Sequence, residues 1–284
     1  LIEIVFQNSR EALNLHEHLV RNMPSLHEER RILVDEGKNS VVIIKPSMSG
    51  EEIQRIRKGF YEFILTHKRD DFFRWILKER FFYTEEEEQD QILSIISSLL
   101  EGKRRDLEPF LTGQDEKELI HEEIQEMLTD NISFSFDSFA RFRLKPFIEK
   151  LYSYVEIGID EYKMEQEYQV FIETLRAFLS ERTPLKDELH VLLMNGETVF
   201  YDHDYQELKR SELFHMIDRK LLVNHPVYVD SVTIAPLLSI APSTIFLYPE
   251  HPDQPLVRTI QNIFEERVII RESLEFMKQR SQAN

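Results

Sequence analysis

Residues 144–179 read LKPFIEKLYSYVEIGIDEYKMEQEYQVFIETLRAFL, and this stretch decides the architecture. Leu144, Phe147, Ile148, Leu151, Tyr154 and Val155 recur at three- and four-residue spacing, and Tyr162, Tyr168, Phe171, Ile172, Leu175, Phe178 and Leu179 continue the pattern. Such a period belongs to a helix with one apolar face. Pro146 fits a first turn, where its missing N–H is no loss, and Thr183-Pro184 ends the run. At 1.5 Å per residue the helix is about 50 Å long. It therefore spans the protein or joins two lobes, unless Gly158 bends it.

On the N-terminal side, Ile2–Phe6 reads as a strand, too short and too acidic for a signal peptide, and the Leu at position 1 fits a chain lacking its initiator. A helix opened by Asn8 or Ser9 follows, with Ala12, Leu15 and Leu19 on one face. Arg31–Val34 and Val41–Ile44 read as a hairpin around Glu36-Gly37-Lys38-Asn39. Ser49 and Glu52 form a capping box for a helix carrying Ile53, Ile56, Phe60, Phe63 and Ile64, which Phe72-Phe73-Arg74-Trp75 continues after a break near Asp70. Thr84 and Glu87 form a second capping box, and Gly102 stops the helix bearing Ile92, Ile96 and Leu99. A further helix starts near Asp115. Ile132–Phe136 alternates ambiguously between strand and helix.

On the C-terminal side the period changes. His190–Met194 and Thr198–Asp202 flank Asn195-Gly196, a strong hairpin signal. A helix is expected around Tyr205–Ile217. Ser231–Tyr248 carries no charge, but Pro236 and Pro242 interrupt it and neither flank is basic. It reads as a short buried helix, a turn at Ala241-Pro242 and a buried strand Thr244–Tyr248, not as a membrane span. That strand, a helix Pro255–Phe264 and a strand Arg267–Ile270 make a βαβ unit, and Met277–Asn284 reads as a fraying tail. The expected fold is α+β. Residues 1–132 form a mainly helical lobe with a small β-α-β-β start, 133–183 the connecting helix, and 184–284 a small α/β lobe with a hairpin and the βαβ unit.

Composition narrows the function. Of 284 residues, 52 are acidic and 35 basic, a net charge of −17 that opposes non-specific nucleic-acid binding by the whole surface. Without cysteine there is no disulfide framework, thiolate metal site or Cys nucleophile. The seven glycines, at 37, 50, 59, 102, 113, 158 and 196, are too dispersed for a phosphate-cradling loop of the Walker or dinucleotide type. The reading is of a cytoplasmic protein with no cofactor and no metal. From Thr84 to Asp130 there are 15 acids and four bases, either two solvated helix faces or a docking surface for a basic partner.

Glu118/His121 and Glu212/His215 have the Glu-x-x-His spacing of di-iron bundles, but both pairs fall off their apolar stripes and read as exposed. Asp202-His203-Asp204 offers a flanked histidine, and a turn explains it as well. Nothing singles out a nucleophile. One cluster stands out: Phe139-Ala140-Arg141-Phe142-Arg143-Leu144-Lys145 interleaves three cations with aromatics. Arg141, Arg143 and Lys145 either pair with the acidic helices or grip phosphate or a nucleic-acid strand. If the segment is helical, Arg141 and Lys145 share one face and Phe139 and Phe142 another. Lys103-Arg104-Arg105 is a second basic spot, in a loop.

Phe142-Arg143-Leu144-Lys145, the long helix with Asp160-Glu161-Tyr162 and Glu167-Tyr168, the Asn195-Gly196 hairpin and Ile240-Ala241-Pro242 together resemble the YtxC-type sporulation proteins. The resemblance extends over nearly the whole chain. It implies a cytoplasmic protein linked to endospore formation, and no substrate, cofactor or reaction. The first reading is thus a non-enzymatic interaction protein with an unidentified protein partner. The second is a nucleic-acid or phosphate binder using Arg141, Arg143 and Lys145. The third is an enzyme with a site at the C-terminal ends of Thr244–Tyr248 and Arg267–Ile270, where α/β sheets place ligands.

Overall fold

The computed structural model describes residues 1–23, 31–44, 49–111, 115–128, 132–217 and 232–283. Of the stretches singled out above, Ser231 and residues 112–114 and 129–130 of the acidic segment lie outside the described residues. The chain divides into two compact units, Leu1–Lys163 and Met164–Asn284. The fold is α+β, mainly helical, with a small mixed sheet in each unit.

The first unit opens with β1 (Ile2–Val5), α1 (Ser9–Asn22), β2 (Ile32–Asp35) and β3 (Ser40–Ile43). Asn8 caps α1 by accepting from the Glu11 N–H, and Ala12, Leu15 and Leu19 are its buried face. Next come α2 (Gly50–Phe63), a π turn (Ile64–Lys68) and α3 (Arg69–Phe81), which run on without a loop. The Ser49/Glu52 capping box closes the start of α2, each side chain bonding the other residue's backbone N–H. Then follow α4 (Glu86–Leu100), a short 3₁₀ turn and α5 (Glu116–Met127). The chain returns through β4 (Ile132–Ser135) and α6 (Phe136–Phe142) into α7 (Lys145–Ser180).

β4 completes a sheet of order β2-β3-β1-β4, lying parallel to β1 with Ile2 opposite Ile132 and Val5 opposite Ser135. Ile4, Ile43, Leu15, Leu19, Phe60 and Phe63 form the centre of the core beneath it. Phe136 stacks on Phe6 at 5.2 Å between centroids, so the residue following β4 locks the strand to the helices.

α7 is a single helix of 36 residues, and Gly158 does not break it. Its glycine serves packing instead. A methyl group there would lie 2.8 Å from Ile96 Cγ1 and 3.2 Å from Ile92 Cγ2, so the absent side chain lets α4 approach α7. The N-terminal part of the helix buries Phe147, Leu151 and Val155 in the first unit, and the C-terminal part buries Ile172, Leu175 and Leu179 in the second.

The second unit continues with β5 (Glu188–Met194), β6 (Glu197–Tyr201), α8 (Arg210–Met216), α9 (Ile234–Ile240), β7 (Thr244–Pro249), α10 (Pro255–Phe264), β8 (Val268–Ile270) and α11 (Ser273–Ala283). Asn195 and Gly196, at φ of 51° and 74°, turn β5 into β6 with both central residues left-handed. The sheet runs β6-β5-β7-β8, and β5, β7 and β8 are mutually parallel. Leu189, Val191 and Leu193 face a core shared with α7 and α10. Leu192 on the opposite face joins Tyr201, Tyr248 and Phe276 of α11.

The uncharged segment resolves as the sequence implies: α9 is buried throughout, Ala241 turns at φ 50°, and β7 follows. Among the described residues no helix is long and apolar enough to cross a membrane.

Four local expectations are corrected. Thr84 does not cap α4: the N-cap is Glu85, without a side-chain bond, because Thr84 turns its hydroxyl to the Glu85 carboxylate. The break after α2 is the π turn at Ile64–Lys68, not an interruption near Asp70. The helix expected from Tyr205 begins only at Arg210, since Asp202 ties residues 202–206 into a turn. The expected tail is helix α11, anchored by Phe276, which is fully buried.

Candidate functional site

The basic cluster sits where α6 ends and α7 begins. Ser135 caps α6, and Phe136, Phe139 and Ala140 face the core. The helix stops because Arg143 and Leu144 both direct their N–H groups back to the Phe139 carbonyl, and Leu144 is fully buried. α7 starts afresh at Lys145. Arg141 and Lys145 thus lie on different helices and share no face, and Phe139 and Phe142 part company. Phe139 is buried while Phe142 is 72% exposed, because the chain reverses to insert Leu144 and leaves Phe142 outside.

The cations differ in their surroundings. Arg143 reaches Glu126 at 3.3 Å and Glu123 at 3.6 Å, both on the acidic helix α5, and Lys145 reaches Glu149 at 3.7 Å one turn on. Arg141 is exposed, and no described carboxylate lies within ion-pair distance of it. The corner therefore presents an aromatic ring beside charges of both signs. Such exposed pairs contribute little to stability, typically about 0–1 kcal/mol. Two of the three loop cations are likewise engaged: Lys103 with Glu101, and Arg104 with Asp106 at 2.8 Å and Glu161 at 2.6 Å.

At the C-terminal ends of β7 and β8 there is an open recess of about 580 Å³. Pro249, Glu250, Arg271, Glu272 and Glu275 contribute to its wall. Its charges are turned on one another. Arg271 bonds Glu275 at 3.2 Å and lies 4.7 Å from the Phe246 ring centre, and Glu250 accepts the Asn195 N–H at 2.9 Å.

The second unit also holds a group that motif reading missed. His190 of β5 is 4% exposed, stacked on Tyr205 at 4.4 Å and Phe246 at 5.0 Å, with Nδ1 3.0 Å from the Tyr248 hydroxyl. Burial holds its imidazole below the usual pKa, partly opposed by Glu188. Burial likewise pushes the Tyr248 phenol well above the usual tyrosine range. The pair is neutral and closed over by α11 through Phe276, 5.0 Å from Tyr248 between ring centres. Its only advance signal was a histidine inside a run of strand-forming apolar residues.

The histidines of the two Glu-x-x-His pairs and of the Asp-His-Asp run lie at the surface. Glu118 and His121 are both exposed, with His121 bonded to Gln125, and Glu212 accepts the Lys209 N–H at 3.0 Å while His215 is exposed. Asp202 accepts from the N–H groups of Asp204 and Gln206, so Asp202-His203-Asp204 is a turn. Among the described residues no group of three or more His, Asp or Glu is placed to hold a metal ion.

Comparison with known proteins gives two matches. The family model of the YtxC-like family matches residues 54–269. A Bacillus subtilis (strain 168) protein bearing the name Uncharacterized protein YtxC is 34% identical over 271 residues, covering 94% of this chain and 93% of that protein. No solved structure matches.

Proposed function

The chain belongs to the YtxC-like family, and we propose that it serves as a non-enzymatic interaction protein in endospore formation, working in the cytoplasm through the corner at Phe142. The observation that carries this reading is Phe142 itself, 72% exposed between Arg141 and Arg143. Protein interfaces concentrate binding energy in exposed aromatic and arginine side chains ringed by polar groups. The link to endospore formation rests on the resemblance at Phe142–Lys145 and Ile240–Pro242.

The nucleic-acid reading is weakened by the same geometry. A phosphate backbone approaching Arg143 and Lys145 also meets Glu123, Glu126 and Glu149, on a chain of net charge −17.

The test is crosslinking and mass spectrometry of the protein from sporulating cells, with and without nuclease, beside a Phe142→Ala, Arg141→Glu variant. Both positions are exposed, so the variant keeps its stability within about 0.5 kcal/mol per substitution. The expected result is a nuclease-resistant partner crosslinked near Arg141–Lys145 and lost from the variant. Partners that disappear with nuclease, or that the variant captures equally well, overturn the proposal.

A further inference from the structure

α3 ends on a side chain that the fold does not use. Its last turn closes with the Tyr83 N–H bonded to the Leu77 carbonyl at 3.0 Å, and the cap residue between them, Phe82, is left-handed at φ 61°. Glycine is the ordinary occupant of such a cap, because a residue with a Cβ is strained there. Packing would explain a bulky aromatic in this place, but the Phe82 ring is 81% exposed. It joins no core cluster among the described residues. The turn is held by its neighbours instead. Tyr83 packs on Tyr162 at 6.1 Å between ring centres, and Gln89 donates to the Tyr83 carbonyl at 2.8 Å.

Phe82 does not stand alone. Trp75, the single tryptophan, is 49% exposed two turns earlier on α3, which places both positions on one side of the helix. Aromatic rings of this kind carry much of the binding energy at the centre of protein interfaces. The charges around the pair select what covers it. Residues 74–90 hold six acids and three bases. Of the bases, Arg74 pairs with Asp90 at 2.6 Å and Arg80 lies 5.5 Å from the Tyr152 ring centre, which leaves Lys78. Glu86 and Glu87 are exposed in the first turn of α4 and meet no cation among the described residues. α7 adds Asp160: burial, then Glu88 and Asp160, raise the Tyr83 phenol above the usual tyrosine range. The two rings are therefore set in a negative field.

We propose that Trp75 and Phe82 form a docking face for a basic amphipathic segment of a partner protein. Its apolar stripe lies on the two rings, and its lysines or arginines meet Glu86 and Glu87. A lipid surface suits the same rings less well, since anionic headgroups would face those carboxylates. The face is distinct from the Phe142 corner. Tyr162, on which Tyr83 packs, is about 25 Å along α7 from Lys145 at 1.5 Å per residue. Neither reading depends on the other.

The test uses the single tryptophan as its own reporter. A short amphipathic peptide of leucine and lysine, titrated into the full chain, should shift Trp75 emission to the blue and bind less tightly as salt is raised. Its counterpart of leucine and glutamate should not bind. Phe82→Gly leaves the net charge unchanged, so it separates docking from general attraction to an acidic protein. This variant should bind the peptide about tenfold more weakly or worse, yet melt no lower than the unmodified protein, and up to about 4 °C higher as strain is relieved. A ring that served the fold would show the opposite pair of effects. Glu86→Lys with Glu87→Lys, at exposed positions, should weaken the peptide likewise. Equal binding by either variant, a lower melting temperature for Phe82→Gly, no movement of Trp75 emission, or a blue shift given only by phosphatidylglycerol vesicles overturns the proposal.

Discussion

Replacing Gly158 by alanine sets two opposing effects against each other at one position. In a helix interior alanine is better than glycine by about 1 kcal/mol. Here, however, the new methyl would stand 2.8 Å from Ile96 Cγ1 and 3.2 Å from both Ile92 Cγ2 and Ile96 Cδ1. Cγ1 is the first atom beyond Cβ, so Ile96 cannot swing it aside without changing rotamer, and Ile92 and Ile96 are 0% and 1% exposed. Overpacking of this kind costs about 1–3 kcal/mol. The expected net result is a destabilisation of about 1 kcal/mol, contrary to the sign that propensity gives. Ile96→Ala alone should cost about 2–5 kcal/mol through the cavity it leaves. With Gly158→Ala also present, the new methyl enters that cavity, and the pair should cost about 1 kcal/mol less than the sum. Urea unfolding followed by Trp75 fluorescence is the assay, since Trp75 is the single tryptophan of the chain and lies in the first unit. A Gly158→Ala variant stabilised by the full propensity difference, or strict additivity with Ile96→Ala, would refute the close approach of α4 and α7.

Two further outcomes follow from the second unit. His190 has a folded pKa below its unfolded value of about 6.5, so the unfolded chain binds the extra proton first, and stability is lost as pH falls below that value. The protection factors of amides in β5 and β7 should therefore fall as pH drops below about 6.5, and His190→Gln should flatten the dependence; an unchanged slope would place the acid sensitivity elsewhere. Phe276→Ala should cost about 3 kcal/mol and expose α11 to limited proteolysis, whereas an α11 as resistant as in the unmodified protein would show that this ring is not its anchor.

The sequence made the periodic elements plain and hid those assembled over distance. The stripe in α7, the Ser49/Glu52 box and the Asn195-Gly196 turn are local, and each appears in place. β4 was ambiguous because four alternating residues fit either period, and its strand partner β1 lies 130 positions earlier. The Phe142 corner was visible as a cluster, but its geometry turned on Leu144, whose burial ends α6 and sends Phe142 outward. Phe82 was one aromatic of the run Phe81-Phe82-Tyr83. Only the left-handed turn at the end of α3 and the exposure of its ring set it apart. His190 gained its stacking partners from a loop, a neighbouring strand and, through Phe276, the last helix.

The π turn between α2 and α3 has a consequence for how this chain tolerates change. A π turn holds one residue more than the α-helix around it, so the helix is written in two reading frames joined at Ile64–Lys68. The surplus residue brings Lys68 inward to Asp71 at 2.7 Å and Glu11 at 3.2 Å, and lays His67 on Phe63 at 5.3 Å. Deleting one residue there would restore a regular helix and leave everything after it on its present face, because the wider turn already absorbs the extra ~100°. Phe73 and Leu77, now 1% and 0% exposed, would keep their places in the core, and the cost would fall on the inward contacts of Lys68 and the stacking of His67. A deletion further along α3 has no such turn to absorb it and would put Arg74 in the place of Phe73 or Lys78 in that of Leu77.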